Sequence, residues 1–384
     1  MKIALVTNTP PPYRVPIFTR LANWPGIDFH VIFCARREPN RLWDLPPLDF
    51  PHSFLRERFF TVDGRYIHNN PDVISLLWKL APDVVVTDGF NPTHLYAFLV
   101  AQCKGVPHIA MTDGTDLSEQ SLSLKHRLVR RLVYARSRAF ISASIGGDRL
   151  YQAYGIKPER CFHSSLCVDN AEFSPTAQID KKRFDFIFCG RMEKPKNPLF
   201  ALEVAHQTAK VMQKRLRILM VGSGSHDHAL RAAAVQFEDW IDVQFYGFAT
   251  QRALPGLYRS ARLFLFPTHA DVWGIVANEA CAAGLPVLVS PYAGVAGELV
   301  RNGVNGFVRV LDIEQWSACA SLILSDEKLY GHFSAGSLQR VAVYNFDSAA
   351  LGLVDACRTA LGKRVNQAAS TCKATADPHV QGQP

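Results

Sequence analysis

Four side chains in the second half of the chain are spaced for chemistry on a charged leaving group. Arg191 and Lys196 stand five positions apart in Cys189-Gly190-Arg191-Met192-Glu193-Lys194-Pro195-Lys196-Asn197, after an apolar run and before a helical pattern that begins near Pro198. Two cations in such a loop can clamp a diphosphate and offset the charge that gathers on it as it departs. The same spacing also suits an ordinary solvated basic turn. Further on, Asp271 and Glu279 have seven residues between them, Asp271 in a loop and Glu279 inside a helix, followed by Ala280, Cys281, Ala282 and Ala283. A carboxylate among small apolar residues is costly without a partner. A ribose or sugar diol can donate two hydrogen bonds to it; a capping acid plus a core glutamate is the other reading. The helix is expected to start near Gly274 to Val276, so the backbone N–H groups of Gly274, Ile275 and Val276 suit a phosphate. Gly222 and Gly224, in Val221-Gly222-Ser223-Gly224-Ser225, either let a ligand approach the backbone or allow a tight bend.

The first half offers fewer signals. Pro10-Pro11-Pro12-Tyr13-Arg14 follows the first apolar run where a dinucleotide-binding chain would carry its glycine fingerprint, which argues against a nicotinamide dehydrogenase. Asp113, in Thr112-Asp113-Gly114-Thr115-Asp116, either faces a sugar or leads a helix. His108 is expected to be buried in its strand. A basic stretch interleaves Lys125, His126, Arg127, Arg130, Arg131, Arg136 and Arg138 with Leu124, Leu128, Leu132 and Val133. Helical spacing gives it an apolar face and a broad cationic one. It reads as a solvated helix packed on the first sheet, or as a contact for anionic lipid or a lipid-linked diphosphate. Aromatic residues are not interleaved as on a single-strand nucleic-acid platform, and no nucleic-acid partner is expected.

The elements that must position these groups alternate. Apolar runs at 3–6, 29–34, 84–86, 108–111 and 139–142 are separated by helical patterns such as 73–80 and 122–135. After a polar segment at 167–175 the alternation restarts, with strands expected at 184–189, 217–221, 243–246, 263–266 and 286–290. The fold class is α/β, two facing Rossmann-like domains whose parallel sheets are flanked by helices. The expected domains are 1–175, an acceptor-side domain, and 176–362, a donor-binding domain that includes the final helix. A tail at 363–384 loses its periodicity and is expected to be disordered.

At 384 residues, 48% hydrophobic and 20% charged, the composition is that of a globular protein. No run reaches the roughly 20 apolar residues of a spanning helix, and Thr7 to Pro12 interrupts the first apolar run before it could form a signal-peptide core. A cytoplasmic chain is expected, with peripheral attachment to the inner face of a membrane as an option. Nine cysteines lie without a CxxC pair, as reduced core residues rather than a zinc site. The net charge of +8 favours acidic partners.

The second half resembles the group 1 glycosyltransferases, glycosyltransferase family 4, whose fold is called GT-B. Their two acids at this separation match Asp271 and Glu279, with Gly274 in register. The Gly-Arg followed by a Lys matches Arg191 and Lys196. Gly222-Ser223-Gly224, Phe245-Tyr246-Gly247, Gly294, Glu298, Gly303 and Gly306 follow in order. The resemblance implies that Arg191, Lys196 and Asp271 are catalytic, the two cations holding the donor diphosphate and Asp271 the sugar hydroxyls. It implies that Glu279 binds the ribose, and that Gly222, Gly224, Phe248, Gly274, Ile275 and Val276 complete the donor site. Tyr13, Arg14 and Asp113 stand where the acceptor side is expected. Asp271 departs from the family's glutamate, and relatives' N-terminal glycine pair and histidine are replaced. Asp113 and Asp116 do not form the DxD of metal-dependent transferases, and no metal is assigned. The function implied is retaining transfer of a hexose from a nucleotide sugar, a substrate rather than a cofactor, to a glycan or lipid-linked acceptor in bacterial surface-polysaccharide synthesis. The alternatives are a nucleotide-sugar epimerase of the same architecture and a non-catalytic sugar-nucleotide or lipid-binding subunit.

Overall fold

The structure is a computed structural model that describes residues 1–39, 45, 47–62, 65–120, 122–175 and 182–363. The expected tail lies, beyond Lys363, outside the described residues. The chain divides into two compact units, one built from Met1–Leu166 together with the helix that starts at Phe346, the other from Cys167–Asn345.

In the first unit the strands are β1 (Lys2–Thr7), β2 (Asp28–Phe33), β3 (His52–Phe54), β4 (Phe59–Val62), β5 (Arg65–His68), β6 (Val84–Asp88), β7 (His108–Thr112), β8 (Ala139–Ser142) and β9 (Cys161–His163). Its helices are α1 (Val15–Ala22), α2 (Asp72–Leu80), α3 (Pro92–Cys103), α4 (Leu124–Arg136) and α5 (Ile145–Ala153). The second unit contains α6 (Asn170–Phe173), β10 (Phe184–Cys189), α7 (Pro198–Met212), β11 (Leu216–Val221), α8 (Asp227–Gln236), β12 (Ile241–Gly247), α9 (Leu254–Arg259), β13 (Ala261–Phe266), α10 (Ile275–Ala282), β14 (Val287–Val289), β15 (Gly306–Val308), α11 (Ile313–Ser325) and α12 (Glu327–Val341). The last helix, α13, is Phe346–Ala360.

The first sheet runs β3-β2-β1-β6-β7-β8-β9 and the second β12-β11-β10-β13-β14-β15, while β4 and β5 form a separate antiparallel pair. Pairings within the two large sheets are parallel, as between β1 and β6 or β10 and β13. Helices cover both faces, which is why the central strands are near-continuous apolar runs. Ala4, Val6 and Val85 pack under Val73, Leu77, Ala97 and Ala101 of α2 and α3. In the second unit Phe186, Ile218 and Leu263 pack under α7 and α11, with Trp316 at the centre.

Strand order locates the chemistry. From β1 the chain moves outward to β2 and β3, then returns to β6 and proceeds the other way; from β10 it moves to β11 and β12, then returns to β13. Each sheet thus has one point where the order reverses, and ligands of such sheets bind outside the carboxyl ends of the strands there. Those ends carry Thr7 to Arg14 and Asp88 in the first unit, and Gly190 to Lys196 and Thr268 to Gly274 in the second.

Two expectations are corrected. The chain leaves the first unit after Leu166 rather than near 175, and α13, expected in the second domain, belongs to the first. There it packs on α1 and on β7 to β9, burying Phe346, Ala349, Ala350, Leu353, Val354 and Cys357. Gly352 makes this seat fit: a Cβ there would stand 1.7 Å from the His163 carbonyl oxygen. An apolar helix face is satisfied by whichever sheet it meets, and periodicity does not say which. The described cysteines are free thiols, five of them buried. Among the described residues no helix is long and apolar enough to cross a membrane.

Candidate functional site

The loop after β10 turns sharply. Arg191 is exposed, Met192 is buried, Lys194–Lys196 make one 3-10 turn, and Asn197 adopts a left-handed conformation (φ 54°) that launches α7. The loop after β13 anchors this turn: the Pro195 carbonyl accepts from the His269 N–H at 2.8 Å and from Thr268 Oγ1 at 2.8 Å. Lys196 Nζ consequently donates to Asp271 Oδ2 at 2.5 Å, and Asp271 Oδ1 accepts from the Trp273 N–H at 3.2 Å. Gly274 then passes through φ 105°, with no room for a Cβ, which would lie 2.3 Å from the Phe266 ring. Helix α10 begins at Ile275, so its first amides lack intrahelical acceptors. Trp273 Nε1 donates to Asn278 Oδ1 at 2.8 Å and ties the loop to the helix. An ammonium, a carboxylate and a helix N-terminus therefore meet at the ends of adjacent strands.

Glu279 lies one turn further into α10, 5% exposed. Tyr258 Oη, from α9, donates to its Oε2 at 2.7 Å. Burial pushes the Glu279 carboxyl up to about 7, with the Tyr258 hydrogen bond acting in the opposite direction.

Gly222 and Gly224 serve first to pack two loops. A Cβ on Gly222 would stand 1.9 Å from the Gly190 carbonyl oxygen, and one on Gly224 2.5 Å from that of Met192. Gly190 and Met192 in turn donate to the Val221 and Ser223 carbonyls, both at 3.0 Å. Phe248 is exposed just after β12.

In the first unit Arg14, 2% exposed, is the N-cap residue of α1. Its Nη1 donates to the Ser164 carbonyl at 2.8 Å and to Ser164 Oγ at 3.1 Å, and its Nη2 to Asp113 Oδ1 at 2.5 Å. Burial opposes its charge, and the Asp113 and Asp88 carboxylates more than offset that. Asp88, at the end of β6, accepts from Thr7 Oγ1 at 3.1 Å. Desolvation and the Asp113 charge push Asp88 up to about 7, against the pull of Arg14. Asn91 Nδ2 donates to Asn8 Oδ1 at 3.0 Å. Tyr13 is partly buried beside Arg14.

Residues 169–339 match the family of Glycosyl transferases group 1. The D-inositol 3-phosphate glycosyltransferase of Segniliparus rotundus is 26% identical over 377 residues, covering 90% of this chain and 80% of that protein. The D-inositol 3-phosphate glycosyltransferase 1 of Catenulispora acidiphila is also 26% identical, covering 68% and 69%. The chain is a transferase whose residues 169–339 match the group 1 glycosyltransferases. Its fold is that of GT-B transferases: the structure of Anabaena Alr3699/HepE in complex with UDP superposes with a TM-score of 0.77 at 14% identity, over 94% of this chain and all of that one. WaaG, a glycosyltransferase involved in lipopolysaccharide biosynthesis, gives 0.65 at 17% identity over 92% and 98%.

The transferase thus gathers its candidate residues in two groups. Lys196, Asp271, Gly274, Ile275, Val276 and Glu279 share one strand-end cluster, while Arg191 is exposed in the loop that carries Lys196. Arg14 and Asp113 form a second group, and Asp113 is an ion-pair partner rather than the leader of a helix. Asp116 pairs with Arg149 instead, at 2.9 Å. His108 is buried between Thr87 Oγ1 at 3.0 Å and Ser137 Oγ at 2.8 Å, as expected. Asp88 was missed. An acid before a glycine resembles a turn, yet its place at the end of the strand paired with β1 was a usable signal.

The buried acid of the transferase makes stability depend on pH. Between its ordinary 4.5 and about 7 the folded state keeps a Glu279 proton that the unfolded chain has released, so stability falls as pH rises through that window. The loss is on the order of 3 kcal/mol. Glu279→Gln is expected to melt above the parent at about pH 8 and close to it at about pH 4. An equal difference at both pH values would contradict a neutral buried acid.

Proposed function

We propose that the transferase moves a hexose from a nucleoside-diphosphate sugar to a glycan or lipid-linked acceptor with retention of anomeric configuration. The observation that carries this reading is the Lys196–Asp271 pair at 2.5 Å, formed where the α10 N-terminus begins. The ammonium and the α10 amides suit a diphosphate, Asp271 suits sugar hydroxyls, and Glu279 suits the ribose. Arg191 and Lys196 supply the positive charge that the departing phosphate requires, and that phosphate takes the acceptor's proton on the same face of the sugar. Arg14, Asp113 and Asp88 form the acceptor-side group in the first unit. UDP in the HepE structure supports a uridine donor. A role in surface-polysaccharide assembly is in keeping with WaaG, while the relatives named for D-inositol 3-phosphate favour including phosphorylated polyols among the acceptors to be tried.

A panel of UDP-, GDP- and ADP-sugars tests the donor. The matching one, at 100 times its dissociation constant, should add about 2.7 kcal/mol of stability. With an α-linked donor the new glycosidic bond should be α by its NMR coupling constant. A β product would refute retention, and interconversion of the donor alone would favour an epimerase.

A further inference from the structure

Helix α4 turns its leucines to solvent. Its sequence, LKHRLVRRLVYAR, contains no acid. At about 100° per residue, Leu124, Leu128 and Leu132 fall within about 80° of arc, with Ala135 among them. Periodicity suggests that this stripe packs on the sheet, yet Leu124 is 82% exposed, Leu128 59% and Leu132 50%. The apolar residues that do pack are Val133 and Tyr134, with partly buried Val129, away from the stripe. Exposed Arg127 and Arg131 border the stripe on one flank, and exposed Lys125 and Arg136 on the other. Arg130 is withdrawn from the cationic face: its Nη2 donates to Glu119 Oε1 at 2.8 Å and its guanidinium lies 4.3 Å from the Phe90 ring centre.

We propose that this face of α4 seats on an anionic lipid surface, with the three leucines below the phosphates and Lys125, Arg127, Arg131 and Arg136 at headgroup level. An apolar stripe edged on both flanks by cations matches the order of acyl chain, then phosphate, that a bilayer presents to a helix lying in its plane. A second copy of the chain fits poorly, because like-charged borders would face each other across the ridge. The positive border continues past the helix, where Arg136, Arg138 and Arg160 line a cavity of about 680 Å³. The inference does not depend on which donor or acceptor the enzyme uses.

Flotation of the full chain with vesicles of phosphatidylcholine alone, or with about 30% phosphatidylglycerol, tests this. Binding is expected to the anionic vesicles and not the neutral ones. The variant Leu124→Gln/Leu128→Gln/Leu132→Gln should bind about tenfold or more weakly with an unchanged melting temperature, since its substitutions are at exposed positions. Lys125→Gln/Arg131→Gln/Arg136→Gln should lose the dependence on phosphatidylglycerol. Should the leucine variant melt early, Leu128→Trp provides an independent readout: its emission should shift to the blue on anionic vesicles only. Equal binding by the leucine variant, equal binding to neutral vesicles, no vesicle binding by the parent, or an unshifted tryptophan would overturn the proposal. So would self-association that the leucine variant abolishes.

Discussion

Lys196→Ala is expected to lower turnover by about 100-fold or more, the usual cost of removing one preorganised charge from a site where charge develops. The ammonium is positioned by protein rather than by ligand: the Pro195 carbonyl is held by the loop after β13, and Asp271 holds Nζ at 2.5 Å. A cation fixed in this way needs no rearrangement as the phosphate departs, so its loss should fall on kcat more than on KM. Arg191→Ala should act in the same direction and less strongly, because Arg191 is exposed and water screens it. Asp271→Asn leaves Lys196 without its anchor and should also slow turnover. Steady-state kinetics on variants with parental melting curves is the measurement. Near-normal rates in both Lys196→Ala and Arg191→Ala would sink the diphosphate assignment.

The second large effect is on stability. Arg14→Ala should destabilise the protein by about 3 kcal/mol or more, since removing one member of a buried pair leaves the other charge uncompensated. Here the guanidinium also donates twice to Ser164, which would lose a partner for its carbonyl. Without the cation, Asp88 and Asp113 would repel each other across the gap and Asp88 would hold its proton to still higher pH. Arg14→Met combined with Asp113→Asn should recover part of the loss, because the apolar chain refills the volume and the carboxylate charge is gone. Urea unfolding checks both. An Arg14→Ala protein within about 1 kcal/mol of the parent would show that the pair contributes little, as exposed pairs do.

The two sheets were legible because their central strands, such as Ile3-Ala4-Leu5-Val6 and Phe186-Ile187-Phe188, are covered on both faces and so appear as unbroken apolar runs. The edge strands β3, β9 and β15 span three residues each, too few to show a period. The strand-end cluster could be read because Lys196 and Asp271 stand at recognisable breaks between strand and helix, and Glu279 is a lone acid among small apolar residues of α10. Its cross-links could not: the contact of Pro195 with Thr268 joins positions far apart in sequence, and neither residue type announces it. Gly222 and Gly224 were legible as special while their seating of a neighbouring loop was not, since a glycine needed for that looks the same in sequence as one needed to admit a ligand or make a bend. Leu124, Leu128 and Leu132 left two readings open for a related reason. Helical spacing shows that three side chains share a face, and only the packing of Val133 and Tyr134 shows which way that face points.

The return of α13 to the first unit makes that unit discontinuous in the gene. Residues 346–360 leave the ribosome only after the whole second unit has been made, so the α1 surface and the β7 to β9 face stay uncovered throughout that interval. The first unit matures in two instalments, while Cys167–Asn345 can close its own sheet as soon as it emerges. For anyone dividing the protein, the excisable half is the second one. A fragment ending at Leu166 would expose the apolar seat of Phe346, Leu353 and Val354, and should be recovered from cells as an aggregate unless the helix is supplied in trans or fused back on.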